Sequence, residues 1–212
     1  VAFTDRSRAS REAILAAARR RFTEHGYERT TIRLVAFDAG VDPSMVMRYY
    51  GSKDGLFAAA VETDLQLPNL SACDSADAAD VLARHFMTLW RSGDGGSLTL
   101  LLRSAMTHEA AAEHLRSVFA EQVAPMVRTM LGASAESDVR AGLVSTQLLG
   151  FALTRYVLHL QPMVDIDDDE FIALTAATLR RILAEPVPPP PRARTRRGQR
   201  AARTVVRSDT PG

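Results

Sequence analysis

His108, Glu109, Glu113 and His114 are residue types that hold divalent metals, and their spacing decides against it. Helical metal motifs pair ligands at i, i+3 or i, i+4. Here the histidines stand six apart, and Glu113 and His114, as neighbours, point about 100° away from each other on a helix. Gly93-Asp94-Gly95-Gly96 lacks the preceding strand and the following lysine of a phosphate-cradling loop, so it reads as a plain loop. The run Asp167-Asp168-Asp169-Glu170 opens a helical stretch, where negative charge complements the helix dipole better than it makes a metal site. The single cysteine, Cys73, sits in a polar stretch without a basic neighbour to activate it. No Ser-His-Asp set can be assembled. The sequence therefore gives no catalytic residue, no metal site and no cofactor, and the chemistry that remains is recognition.

That chemistry lies between Thr30 and Phe57. Thr31 is a suitable helix N-cap, and Ile32, Val35, Ala36 and Ala39 share one helical face. Gly40 stands where a helix closes through a left-handed residue. Asp42 then caps a second helix with Pro43 at its first position, where the missing N–H costs nothing. This helix carries Ser44, Met45, Arg48 and Tyr49 away from Val46 and Tyr50. A helix, a glycine turn and a short polar-faced helix make a helix-turn-helix, which lays its second helix in the major groove of DNA.

The pattern is also specific in residue type. Thr30-Thr31-Ile32, Val35-Ala36, Ala39-Gly40-Val41, Arg48-Tyr49-Tyr50, Ser52-Lys53 and Leu56-Phe57 resemble the N-terminal signature of TetR-family repressors. Upstream, Ile14, Ala17, Ala18, Phe22, Gly26 and Tyr27 are similar to that family's first helix and its closing turn. The resemblance covers about residues 10–60 and departs from the family at Met47, commonly an aromatic, and at Phe37, commonly polar. Phe37 is expected to pack on the first helix. The resemblance implies DNA contacts from Thr31, Arg33, Pro43, Ser44, Met45, Arg48, Tyr49 and Lys53. Thr31 and Lys53 would hold phosphates, and Arg33 and Arg48 would reach base edges or, equally, phosphates.

Charge is distributed to suit this. Residues 1–57 hold ten basic against seven acidic side chains, residues 58–184 nine against sixteen, and residues 185–212 seven against two, for a net charge of only +1. The basic ends are where a polyanion would bind. One cysteine allows no internal disulfide, which suits the reducing cytoplasm. Arg6, Arg8 and Arg11 have no apolar segment behind them, unlike a secretory signal. The longest apolar candidate, Leu143 to Leu160, is broken by Arg155, so no membrane span is expected.

The rest of the chain has helical period throughout, which predicts an all-α fold. Helices are expected over 10–25, 53–67 (ended by Pro68), 77–91, 97–106, 109–131 (bent at Pro125), 136–160 and 168–184. Three parts follow: a helix-turn-helix DNA-binding domain at 1–52, a helical effector-binding and dimerisation domain at 53–185, and a proline- and arginine-rich disordered tail at 186–212. Phe86, Trp90, Met106, Phe119, Met126 and Phe151 could line a cavity or be ordinary core. The family resemblance implies the cavity, since its C-terminal domains sense small molecules. Segments 136–160 and 168–184 are apolar over more than one face, so a second surface must cover some of these residues, the alternative being a monomer that buries both helices. By the same resemblance that surface is their own copy in a homodimer.

The expected function is sequence-specific transcriptional regulation: a repressor that binds a pseudo-palindromic double-stranded operator and leaves it when a small lipophilic ligand binds. One competing class is a DNA-binding protein that does not respond to ligands. Another is an all-α enzyme or small-molecule carrier, which lacks any visible catalytic set.

Overall fold

A computed structural model of the chain describes residues 2–92 and 95–185, with side chains from Ser7 onward. Among the described residues every regular element is helical. Helix α1 (Ala2–Arg29) contains a break at Gly26, whose φ of 75° is open to glycine. It is followed by α2 (Ile32–Ala39), α3 (Pro43–Tyr50) and α4 (Lys53–Val61). The body comprises α5 (Ser75–Arg91), α6 (Gly95–Ser104), α7 (Glu109–Val118), α8 (Ala124–Leu131), α9 (Ala135–Ala152), α10 (Gln161–Val164) and α11 (Asp168–Ala184).

Ile14, Ala18 and Phe22 of α1 lock against Val35 and Ala36 of α2, Val46 of α3 and Leu56 and Phe57 of α4. The same core continues into Leu100 and Leu101 of α6 and Ala111 of α7. The expected boundary at 52/53 therefore falls within one apolar core. The body's core is built chiefly where α5 packs along α11, with Leu82, Leu179 and Leu183 buried. Two arginines pin α9 and the turn after it to α11 and the segment before it. The Arg140 guanidinium, nearly buried, donates to the Ile182 carbonyl at 2.6 Å, and Arg155 donates to the Ile166 carbonyl at 2.9 Å.

Several expected boundaries are corrected. Helix α4 stops at Val61 rather than near Leu67, because side chains from α7 and the turn after it take the amides it would need. His114 Nε2 accepts the Thr63 N–H at 2.9 Å, and Gln122 Oε1 accepts the Leu65 N–H at 2.8 Å. The bend expected at Pro125 is a π-turn over Phe119–Val123, just ahead of the residue that cannot donate to a helix. The 136–160 helix ends early, with a second π-turn at Leu153–Val157, and His159 adopts a positive φ. Gly95 and Gly96 begin α6 rather than sit in a loop, while Gly93 and Asp94 lie outside the described residues, as does the expected tail at 186–212. The acidic run caps α11, with Asp167 accepting the Glu170 N–H at 2.8 Å.

Candidate nucleic-acid interface

Helices α2 and α3 are each eight residues long and held by side-chain caps. Thr31 Oγ1 accepts the Leu34 N–H at 3.3 Å, and Asp42 Oδ1 accepts the Ser44 N–H at 2.8 Å. Hydrogen bonding from the Ser44 side chain first, and then from the Ser44 amide, holds the Asp42 carboxyl below its ordinary range. Between the helices, Gly40 takes φ 65° and ψ 33°, and the Val41 N–H closes on the Ala36 carbonyl at 3.0 Å. Arg21 of α1 donates two hydrogen bonds to Asp38 at 2.6 and 2.8 Å, with Arg20 adding a third at 3.3 Å. Hydrogen bonding from Arg21 holds the Asp38 carboxyl down at about 2, so α2 is ion-paired to α1 at ordinary pH.

Val46 is the buried residue of α3. Pro43, Ser44, Met47 and Arg48 are exposed, and Met45 and Tyr49 are half-buried. Met47 was not among the expected contacts, yet it stands 45% exposed beside Ser44 and Arg48. Its position three residues after Ser44 was the signal in the sequence. Tyr49 turns back toward α1: its hydroxyl exchanges a 3.2 Å hydrogen bond with Ser7 and accepts one from Arg48 at 3.2 Å. Arg11 and Arg48 both lie over its ring. These partners, Ser7 first, pull the Tyr49 phenol below its ordinary range. Arg33 is exposed on α2.

Lys53, at the start of α4, rests its ammonium 4.0 Å from the centre of the Tyr27 ring, with a long 3.5 Å contact to the Glu28 carbonyl. Tyr27 in turn donates to Asp54, and burial first, then that bond, pushes its phenol up to about 12. Phe37 does not pack on α1: it is 81% exposed. It lies outside the Ile32, Val35, Ala36, Ala39 stripe, and that position outweighs its apolar character.

A cavity of about 730 Å³ opens in the body between α5, α6, α7 and α9. Phe86, Trp90, Phe119 and Met126 line it, and Met106 stands at its edge, 90% exposed, just beyond the end of α6. Phe151 is corrected: it turns away and packs edge-on against Phe171 of α11, ring centres 5.3 Å apart. The segment after α4 forms part of the wall through Thr63, Leu65 and Leu67. His108, His114 and Glu109 are each engaged by neighbours. His108 lies 4.3 Å from both the Tyr27 and Phe57 rings, His114 holds the Thr63 amide, and Glu109 pairs with Arg116 at 2.5 Å.

Residues 14–60 match the family model for bacterial regulatory proteins of the tetR family, and residues 76–183, about half of the chain, match the tetracyclin repressor-like C-terminal domain. Over 64 residues, 30% of this chain, the sequence is 39% identical to the HTH-type transcriptional repressor AcnR of Corynebacterium glutamicum, spanning 34% of that protein's length. A TetR-family regulator from Streptomyces coelicolor A3 aligns at 30% identity and a TM-score of 0.53, over 82% of this chain and 94% of its own. The protein of a SmeT–triclosan complex shares the fold at 20% identity and a TM-score of 0.64, over 85% of this chain and all of its own.

Proposed function

Because the chain belongs to the TetR family of bacterial regulatory proteins, we propose that it is a sequence-specific DNA-binding transcriptional regulator. In this reading it acts as a homodimeric repressor that leaves its operator when a small lipophilic ligand enters the body cavity. The observation that carries the reading is the outer face of α3. An eight-residue helix is marginal in water, yet this one is capped, preceded by a rigid turn and buried through a single valine. Its other side is left free for a ligand as large as the major groove.

The assignments follow from position. Thr31 and the amides at the start of α2 hold a backbone phosphate, where N–H groups and the helix dipole converge. Lys53 moves from its long contact with Glu28 to a second phosphate. Pro43, Ser44, Met45, Met47, Arg48 and Tyr49 face the groove, with Arg33 reaching it from α2. Arg48 reads a base, because a guanidinium can bond guanine O6 and N7 together. Dimerisation is supported by Val139 and Leu143, which lie one turn apart on α9 and are exposed, and by exposed Leu153 just beyond it and Leu174 on α11. A two-fold dimer calls for a pseudo-palindromic operator. This reading puts the protein in the cytoplasm with its DNA; among the described residues no helix is long and apolar enough to cross a membrane.

Selection from random duplexes, followed by titration over a range of salt concentrations, tests the proposal. A pseudo-palindromic sequence should be enriched. Lys53→Ala should weaken binding to selected and random duplexes alike and shallow the salt dependence by about one counterion. Arg48→Ala should cost about 1–3 kcal/mol, and mainly on the selected duplex. Equal losses on both duplexes for Arg48→Ala would remove it as a base reader, and failure to enrich any sequence would defeat the regulator reading.

A further inference from the structure

The polar atoms on the cavity wall can be accounted for one by one. Among the described residues the lining side chains that carry nitrogen or oxygen are Thr63, His85, Trp90, Arg116 and Ser145. The Thr63 hydroxyl donates its proton to the Val61 carbonyl at 3.1 Å. The Ser145 oxygen is itself fully buried and has no hydrogen-bond partner among the described residues. Arg116 is mostly exposed and paired with Glu109 at 2.5 Å, with Glu113 at 3.9 Å. Trp90 stacks flat on Tyr156, ring centres 4.4 Å apart, and its indole N–H can only donate.

His85 is different. Its Nε2 lies 2.8 Å from the Leu65 carbonyl, which can only accept, so the proton sits on Nε2 and Nδ1 keeps its lone pair. No donor among the described residues pairs with that nitrogen. The wall thus offers an unpartnered imidazole acceptor on a largely apolar surface, and no carboxylate lines it.

We propose that the cavity takes an uncharged lipophilic ligand bearing a hydroxyl, which donates to His85 Nδ1. This inference rests on the effector-cavity reading above. A cation would find no anion on the wall, and burying it unpaired is strongly unfavourable. A carboxylate would have to draw Arg116 away from Glu109 and Glu113 or pair with an imidazolium at His85, and taking two ions out of water offsets most of what their attraction returns. A neutral hydroxyl needs only the lone pair already in place. The volume of about 730 Å³ suits a drug-sized molecule.

Trp90 is the chain's only tryptophan, so its selectively excited emission reports occupancy of the wall it belongs to. The intact protein would be titrated at pH 7.5 with butylbenzene, 4-butylphenol, 4-butylbenzoate and 4-butylbenzylamine, which share a skeleton and differ in polar group. The phenol should bind about 100-fold more tightly than either charged compound. His85→Phe should weaken the phenol about ten-fold, the effect of one hydrogen bond, and leave butylbenzene unchanged, which also reports an intact cavity. His85→Gln, which keeps an acceptor and a donor for Leu65, should restore part of the loss. If all four compounds bind alike, or the benzoate binds best, the hydroxyl proposal is overturned while the effector reading stands. If none alters Trp90 emission, the effector reading itself fails.

Discussion

Gly40 sets the angle between α2 and α3, and replacing it isolates one physical effect. A Cβ built there meets nothing within 4 Å, so sterics with neighbouring groups play no part. What changes is the backbone: at φ 65° and ψ 33° a residue with a Cβ pays about 1–2 kcal/mol. Alanine also narrows the unfolded ensemble, which works in the opposite direction by about 0.4–1 kcal/mol. The difference leaves Gly40→Ala destabilised by about 1 kcal/mol, or a melting temperature lower by about 2–4 °C for a chain of this size. Gly40→Asn should lose less, because asparagine tolerates the left-handed region, and Gly40→Val more, because it is β-branched. Urea unfolding followed by far-UV circular dichroism measures the series at constant slope. The order Asn, Ala, Val is the test. An alanine variant as stable as the parent, or an asparagine variant worse than alanine, would refute the argument that conformation alone demands glycine here.

Two further predictions concern the ion pair and the dimer. The Asp38 carboxyl is lowered from 3.8 to about 2 by Arg21, so its contribution to stability is present above about pH 4 and lost as pH falls through about 2. The gap in urea midpoint between the parent and Asp38→Asn should therefore be full at pH 6 and close by pH 2; a gap independent of pH would mean the pair contributes nothing through charge. Leu143→Glu and Leu174→Glu, on exposed apolar positions of α9 and α11, should give monomers by sedimentation with operator binding lost. Leu179 is not an interface residue, although its helix suggested it: it is fully buried within its own subunit, and Leu179→Ala should cost about 2–5 kcal/mol of stability instead. A dimer that survives both glutamates would place the interface elsewhere.

The head was legible because its signals are local. A cap is decided by residues two or three positions away, and the turn at Gly40 by the helix it ends. Thr31, Gly40, Asp42 and Pro43 could therefore be read in place, and the structure finds each where the spacing put it. The misreading in the head came from judging a residue by type rather than position: Phe37 is aromatic but off the buried stripe.

The body was less legible because its decisive contacts are distant in sequence. No property of residues 62–67 says that a helix must stop there; the answer lies in His114 and Gln122, 51 and 57 residues beyond the amides they accept. The cavity shows the same limit on a finer scale. Ser145, Leu148, Leu149 and Ala152 of α9 line it at helical spacing, and Phe151, one residue from Ala152, is turned about 100° away toward α11. An apolar run names the helix but not which of its faces meets a cavity and which a neighbour. The histidines follow the same logic. Weighed as ligands by spacing alone, His108 and His114 lead nowhere. In the fold one is wedged against Tyr27 and Phe57 of the head, and the other holds the first amides beyond α4. Both therefore stand where the head meets the body, the junction at which the head's core continues through Leu100 and Leu101 of α6.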